Sequence, residues 1–397
     1  MRILLIACIS LCGTVVAAPP TGTEPRPFRL DAALAGRGYA YNTESFLHRW
    51  SYRLDFPLVG SGELWSTGLW AGAGSVRSTE FYAQTWVHER VPLEDWGTLE
   101  FRYARDEDLD GRHDRVLLGM GWRFADAWTA TLLGDVPGDK EDIDVQLELA
   151  WAEGAQRFRL ALVLTDFEYD QKQTAAEYQA EPITLFAERW WALGQDTELY
   201  AYANANLETR WREFSTSLSL TDRATEAGLG LRRALDHGRT LRAFLRGGDG
   251  ERSESDPATT TGLTRDHLEA ALQYERIAWS RPSWLGLRAL HLDEVEASSV
   301  APTLRMRRRE LMLYGGSRWR LGERTSLAPE LELNWIDILD EFAAPGAPPT
   351  EALEGKLALP LEVVLDRQRD VRMVFNAGIK LHEVKFGGAQ LTLAVGF

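Results

Sequence analysis

The chain has 397 residues, 45% of them hydrophobic and 26% charged, which is enough apolar material to exclude wholesale disorder. Lys and Arg number 44 against 59 Asp and Glu, a formal net charge of −15. A chain this acidic repels phosphate backbones, which excludes general nucleic-acid binding, and past the N-terminus no apolar run reaches the roughly 18 residues of a membrane helix.

Residues 1–17 read as a secretory signal peptide. Arg2 supplies the positive start, Ile3 to Val16 the short apolar stretch, and Val15-Val16-Ala17 the small residue needed for cleavage. Both cysteines, Cys8 and Cys12, lie inside this segment, so the exported chain is expected to carry no disulfide and no thiolate metal site. Residues 18–27 are expected to be a short periplasmic segment, followed by one domain from 28 to 397.

From Phe28 onward the pattern is uniform. Ile143, Val145, Leu147, Leu149 and Trp151 alternate with Asp144, Gln146 and Glu148. Leu199 to Leu207 sets Tyr200, Tyr202, Asn204 and Asn206 on one face. Leu331, Leu333 and Trp335 alternate with Glu330, Glu332 and Asn334, and Phe375, Ile379 and Leu381 with Asn376, Lys380 and His382. Period two means strands with one apolar and one polar face. Short separators (Ala152 to Ala155, Leu193 to Asp196, Asp236 to Arg239, Leu321 to Arg324, Asp366 to Asp370) alternate with longer polar links. The long links run from Arg105 to Asp114, Asp166 to Pro182, Gly247 to Asp266 and Asp337 to Glu354. The expected fold is all-β: a single transmembrane antiparallel β-barrel of about 18–20 strands, with short periplasmic turns and longer extracellular loops. Closure is the physical reason, because in hydrocarbon every backbone N–H and C=O must pair internally. The 15 Trp residues recur near turns, where they are expected to girdle the interfaces.

The chain ends on an alternating strand, with Leu391, Leu393, Val395 and Phe397 on its apolar face. A final strand closing on a C-terminal Phe, behind a signal peptide, resembles the bacterial outer-membrane β-barrel class. That resemblance implies residence in the outer membrane of a Gram-negative cell and contact with its lipid and lipopolysaccharide. It also implies recognition of those four residues by the barrel-assembly machinery. Val395 departs from the pattern where an aromatic is also common.

The polar half of each strand supplies the candidate lumen and cargo-path residues. They are Asp144, Gln146, Glu148, Arg157, Arg159, Tyr200, Tyr202, Asn204, Arg242, Arg246, Arg318, Arg320, Glu330, Glu332, Asn334, Arg372, Asn376 and Lys380. A wall of both charge signs hydrogen-bonds hydroxyl-rich solutes, and Tyr and Trp stack on sugar rings. A braced, solvated interior without selectivity produces the same alternation. Arg305, Arg307, Arg308 and Arg309 open a strand as a basic run, of which Arg305, Arg307 and Arg309 share one face. Asp106, Asp108 and Asp110 followed by Gly111 have the spacing of a calcium loop's start, with Leu117 where the closing Glu belongs.

None of the seven His residues stands in a metal-ligand or nucleophile motif, no phosphate-binding Gly loop occurs, and no enzyme activity and no cofactor are expected. The leading expectation is a channel for hydrophilic solutes, carbohydrate or exported polysaccharide, with any periplasmic export partner on a separate chain. A general porin with an inward loop (Asp166 to Pro182 or Gly247 to Asp266) and a plugged structural or adhesive barrel are the alternatives.

Overall fold

The computed structural model describes residues 48–55, 66–75, 81–93, 96–108, 111–135, 142–153, 156–169, 176–278, 281–341, 345–346, 348–367, 371–381 and 384–394. The expected signal peptide, the 18–27 segment, Asp110, Val395 and Phe397 lie outside the described residues. For Asp106, Asp108, Arg157, Arg372, Asn376, Leu391 and Leu393 the backbone alone is described.

Extended segments follow one another along the whole described chain. They begin with β1 (His48–Asp55), β2 (Ser66–Ser75), β3 (Phe81–Leu93), β4 (Gly97–Asp108), β5 (Gly111–Ala125), β6 (Trp128–Asp135), β7 (Asp142–Glu153) and β8 (Gln156–Tyr169). Then come β9 (Ala176–Ala180), β10 (Ile183–Leu193), β11 (Thr197–Glu213), β12 (Ser219–Leu235), β13 (Arg239–Ser255), β14 (Thr260–Ala278) and β15 (Arg281–Ser298). The last are β16 (Leu304–Ser317), β17 (Trp319–Arg320), β18 (Thr325–Leu327), β19 (Glu330–Asp340), β20 (Thr350–Asp366), β21 (Val371–Lys380) and β22 (Lys385–Ala394).

All belong to one sheet in which chain neighbours pair antiparallel. Three pairs of segments are single strands with a break. Segments β9 and β10 both pair with β11, and β18 and β19 both pair with β20. Pro182 and Pro329 stand at those breaks, where a ring without an N–H cannot donate to the ladder. Segment β17 continues β16 past Arg318 in the same way. Counted so, the sheet has 19 strands, inside the expected range. An odd count in an up-and-down meander leaves the first and last strands parallel, and the pair between β1 and β22, Trp50 with Leu391, is parallel.

The short turns lie where the sequence places them. Gly194–Asp196, Asp236–Gly238 and Leu321–Arg324 share one end of the sheet, together with Asp126-Ala127, a tight turn not expected from the sequence. Gly238 has φ +70°, a conformation open to glycine at no steric cost. The opposite end carries connections of four to nine residues: 214–218, 256–259, 299–303 and 341–349.

The long links differ from expectation. Gly247 to Asp266 is no loop: β13 and β14 stay paired out to Ser255 and Thr260, leaving a four-residue turn, 256–259. Likewise β4 and β5 pair as far as Asp108 with Gly111. Within Asp166 to Pro182, β8 runs to Tyr169 and β9 starts at Ala176, and Asp337 to Glu354 is strand at both ends. The links are polar because both of their faces meet water, and that does not stop a backbone ladder.

The two faces of the sheet are reversed relative to a water-soluble protein. One face exposes Leu118, Leu132, Leu147, Leu160, Leu185, Leu229, Leu245, Leu268, Leu272, Leu287, Leu311 and Leu333. The other buries Glu100, Asp144, Glu148, Arg159, Glu188, Glu269, Arg288, Glu310, Glu332 and Lys356. An apolar face this extensive on one surface is far larger than soluble monomers expose. At the short-turn end this apolar face is rimmed by Trp122, Phe124, Trp128, Trp151 and Trp319. Phe124 stacks on Trp128, whose ring lies 6.5 Å from that of Trp151. Not every Trp belongs to the rim: Trp190 and Trp284 share the register of the polar face.

Candidate functional site

The polar face carries a belt of paired charges that passes from strand to strand. On β7, Gln146 donates to Glu148, and Arg159 of β8 reaches the same carboxylate at 2.8 Å. Arg159 also lies 3.6 Å from Glu188 of β10. The Tyr200 hydroxyl on β11 donates to Glu188 at 3.2 Å. Tyr202 donates to Glu226 of β12 at 2.5 Å, and His267 of β14 pairs with the other Glu226 oxygen at 3.1 Å. Glu269 receives Arg246 of β13 at 2.7 Å and Arg288 of β15.

The belt continues across the second half of the sheet. Arg308 pairs with Glu310 on β16, and Asn334 of β19 donates to Glu310 at 2.9 Å. Lys356 of β20 stands 4.0 Å from Glu332, and Lys380 of β21 stands 3.9 Å from Glu354. The Trp284 indole N–H donates to Glu330. These charges sit in low-dielectric surroundings, and most of them have an opposite partner or a hydrogen-bond donor, as burial demands.

Aromatic rings run alongside this belt. The Trp190 and Tyr200 ring centroids are 4.5 Å apart, and Tyr200 and Tyr202 stack at 5.8 Å with planes 30° apart. Tyr202 lies flat on the wall because its cross-strand partner is Gly228, where an added Cβ would fall 2.2 Å from the ring. Tyr314 lies on Gly286 in the same way and packs with Met312 and Ile336 into an apolar cluster.

Most of the sequence-predicted wall residues share this face. Asp144, Gln146, Glu148, Arg159, Tyr200, Glu330, Glu332, Asn334 and Lys380 are buried in it. Tyr202, Asn204, Arg242 and Arg246 are half-buried, with Arg242 paired to Glu275 at 3.1 Å. Arg318 and Arg320 keep the parity of the polar face but stand at its edge. Both are exposed at the short-turn rim, Arg318 at 3.4 Å from Glu362, because the strand breaks at Arg318. Glu188, Glu226, His267, Glu269, Arg288, Glu310 and Glu354 complete the belt and were not singled out in the sequence. They alternate with Leu or Ala on their strands, the same period-two signal that marked the others.

Exposure divides the wall into two sectors. Arg288, Glu269 and Asn334 are at most 2% exposed. Arg232 and Arg242 on β12 and β13 keep side-chain exposures of 35% and 27%. Asp106 and Asp108 belong to the ladder between β4 and β5, not to an open loop. Among the described residues no group of three or more His, Cys, Asp or Glu is placed to hold a metal ion.

No protein-family model and no curated protein sequence matches the chain. Among solved structures, it is similar to a loop L8 deletion mutant of OmpT, an outer membrane protein of Vibrio cholerae. The TM-score is 0.34 and the identity 8%, over 74% of this chain and 92% of that one. The outer-membrane-expressed OmpT of Vibrio cholerae gives a TM-score of 0.33 at 9% identity, over 73% and 86%. The in-vitro-folded trimer form gives 0.33 at 9%, over 74% and 88%. The likeness is loose, and the functional reading stands on the chain's own residues.

Proposed function

We propose that this protein is an integral outer-membrane β-barrel that passes hydrophilic solutes, with carbohydrate or exported polysaccharide as its cargo class. The observation that carries the reading is the reversal of the two faces: an apolar surface fit for lipid outside, and a belt of mixed charge inside. Placed this way, the short-turn end with its aromatic rim faces the periplasm and the opposite end faces outward.

The carbohydrate assignment is supported by the half-buried sector of β11 to β13. Tyr202 offers a flat ring with Asn204 next on the same face of β11, and Arg232 and Arg242 stand four residues nearer the short turns, there for hydroxyl groups. Sugars are held by such pairings of stacking faces and fixed polar groups. The buried sector around Arg288 and Asn334 braces the wall and takes no part in cargo contact.

Single-channel conductance in planar bilayers tests the proposal. Current that is blocked by oligosaccharide, with block relieved in Tyr202→Ala, is the expected result. A current indifferent to sugar identifies a general porin, and no conductance identifies a plugged structural barrel.

A further inference from the structure

The basic run of β16 is not used by the channel reading. Arg305, Arg307 and Arg309 share the apolar, outward face with Leu311 and Leu313. In register, Leu311 stands between Ala289 of β15 and Trp335 of β19. One row further from the short-turn end, Arg309 stands between His291 and Asp337, and the next outward row places Arg307 beside Asp293. The outward surface therefore changes from apolar to charged at one row across three strands, with exposed Trp335 at the edge.

Pairing in this patch is incomplete. Arg305 is bound to Asp293, and its backbone N–H donates to Glu341 at 3.0 Å. Arg307 lies 3.2 Å from Asp337. Arg309 is exposed and has no ion-pair partner among the described residues. Arg305 thus meets Asp293 and Glu341 and Arg307 meets Asp337, while Arg309 is left open at the depth where lipid headgroups begin.

We infer that Arg307 and Arg309 form a binding site for the phosphorylated headgroup of an outer-leaflet lipid. The inference rests on the membrane-spanning reading above. A guanidinium takes two phosphate oxygens at once, and Arg309 has its full set of donors to give. The acyl chains of the same lipid lie along Leu311, Leu313 and Leu333, so one molecule satisfies both the charged row and the apolar rows below it. A soluble acidic polymer has no use for the apolar rows.

The test is equilibrium binding of bis-phosphorylated lipid A to the detergent-purified protein, read by native mass spectrometry. Lipid A without phosphates and inorganic phosphate alone are the comparison probes. The proposal predicts binding of the phosphorylated lipid, weakened about tenfold or more in R307Q/R309Q. R223Q, on an exposed outward Arg of β12 far from the patch, keeps wild-type binding. Arg309→Lys, which keeps the charge and loses the fork, falls between. Equal binding of both lipids, or unchanged affinity in R307Q/R309Q, overturns it. Inorganic phosphate competing at the lipid's own affinity overturns the lipid as the source. Conductance of R307Q/R309Q separates the two readings: channels that still open while lipid binding is unaltered sink this inference alone, whereas a chain that never inserts sinks the channel reading.

Discussion

The Glu148–Arg159–Glu188 group inside and the Arg223–Glu251 pair outside are built from the same residue types and behave as different objects. Inside, the Arg159 side chain is 6% exposed and its two carboxylates 6% and 1%. Outside, Arg223 and Glu251 are 51% and 53% exposed across a 2.8 Å contact. The inner group has lost water and must find its charge partners within the wall. The outer pair exchanges freely with water, and its attraction is screened. Charge in the belt is therefore architecture, and charge beyond the apolar rows is free for recognition.

The largest effect expected from that contrast is at Arg159. Arg159→Ala leaves Glu148 and Glu188 facing each other uncompensated and is expected to cost about 3–5 kcal/mol. Urea unfolding from lipid vesicles measures it, and Arg223→Ala beside it should leave the midpoint in place. Equal losses in the two variants would erase the distinction between the regions.

Next is the apolar face itself. Leu272→Arg, near the middle of β14, is expected to cost about 2–4 kcal/mol in vesicles, as a charge facing lipid does. The same substitution at Thr264, on the same face past the last exposed Leu of β14, is expected to be nearly silent. Comparable costs at the two positions would move the apolar boundary away from Leu268.

A smaller effect is expected where Tyr202 rests on Gly228. Gly228→Val forces the ring off the wall and should cost about 1–3 kcal/mol by overpacking. It should also weaken sugar block of the channel, if the flat ring is what sugar meets. Sugar block at wild-type affinity with a lifted ring would remove Tyr202 from the cargo path.

The smallest effect is at the outer turn. Asp256 accepts the N–H groups of Ala258 and Thr259 and the Thr259 hydroxyl, which hold its carboxyl below its ordinary value of 3.8. A depressed carboxylate stabilises the turn above that value and loses its contribution as pH falls through the lower one. Amide exchange at Ala258 and Thr259 should therefore quicken only in strong acid. Protection that falls already near neutral pH would assign the turn's order to something else.

Much of this molecule is legible in its sequence, and the unread parts share one physical cause. The short turns at Gly194–Asp196 and Asp236–Gly238, and the wall residues Asp144, Gln146 and Glu148, follow from period two and from residues that permit tight turns. That signal exists only where one face is apolar. Past Gly247 on β13 both faces are polar, as Gly248-Asp249-Gly250-Glu251 shows, so the alternation vanishes while the ladder continues to Ser255. The expected loop from Gly247 to Asp266 was the result. Arg318 and Arg320 kept the parity of the wall but lie past a strand break that parity does not reveal. The pairing of Arg159 with both Glu148 and Glu188 depends on register between β7, β8 and β10, which no single strand encodes.

The reversal of the two faces is tested most directly by single-cysteine labelling, since Cys8 and Cys12 are the only cysteines and both fall in the expected signal segment. Leu245→Cys and Asn204→Cys, each in the chain lacking residues 1–17, are folded into lipid vesicles and treated with a water-soluble maleimide. The account predicts rapid labelling at position 204 and protection at position 245, with the protection lost when the lipid is removed. Rapid labelling at 245 in intact vesicles, or a chain that dissolves without detergent, would contradict it.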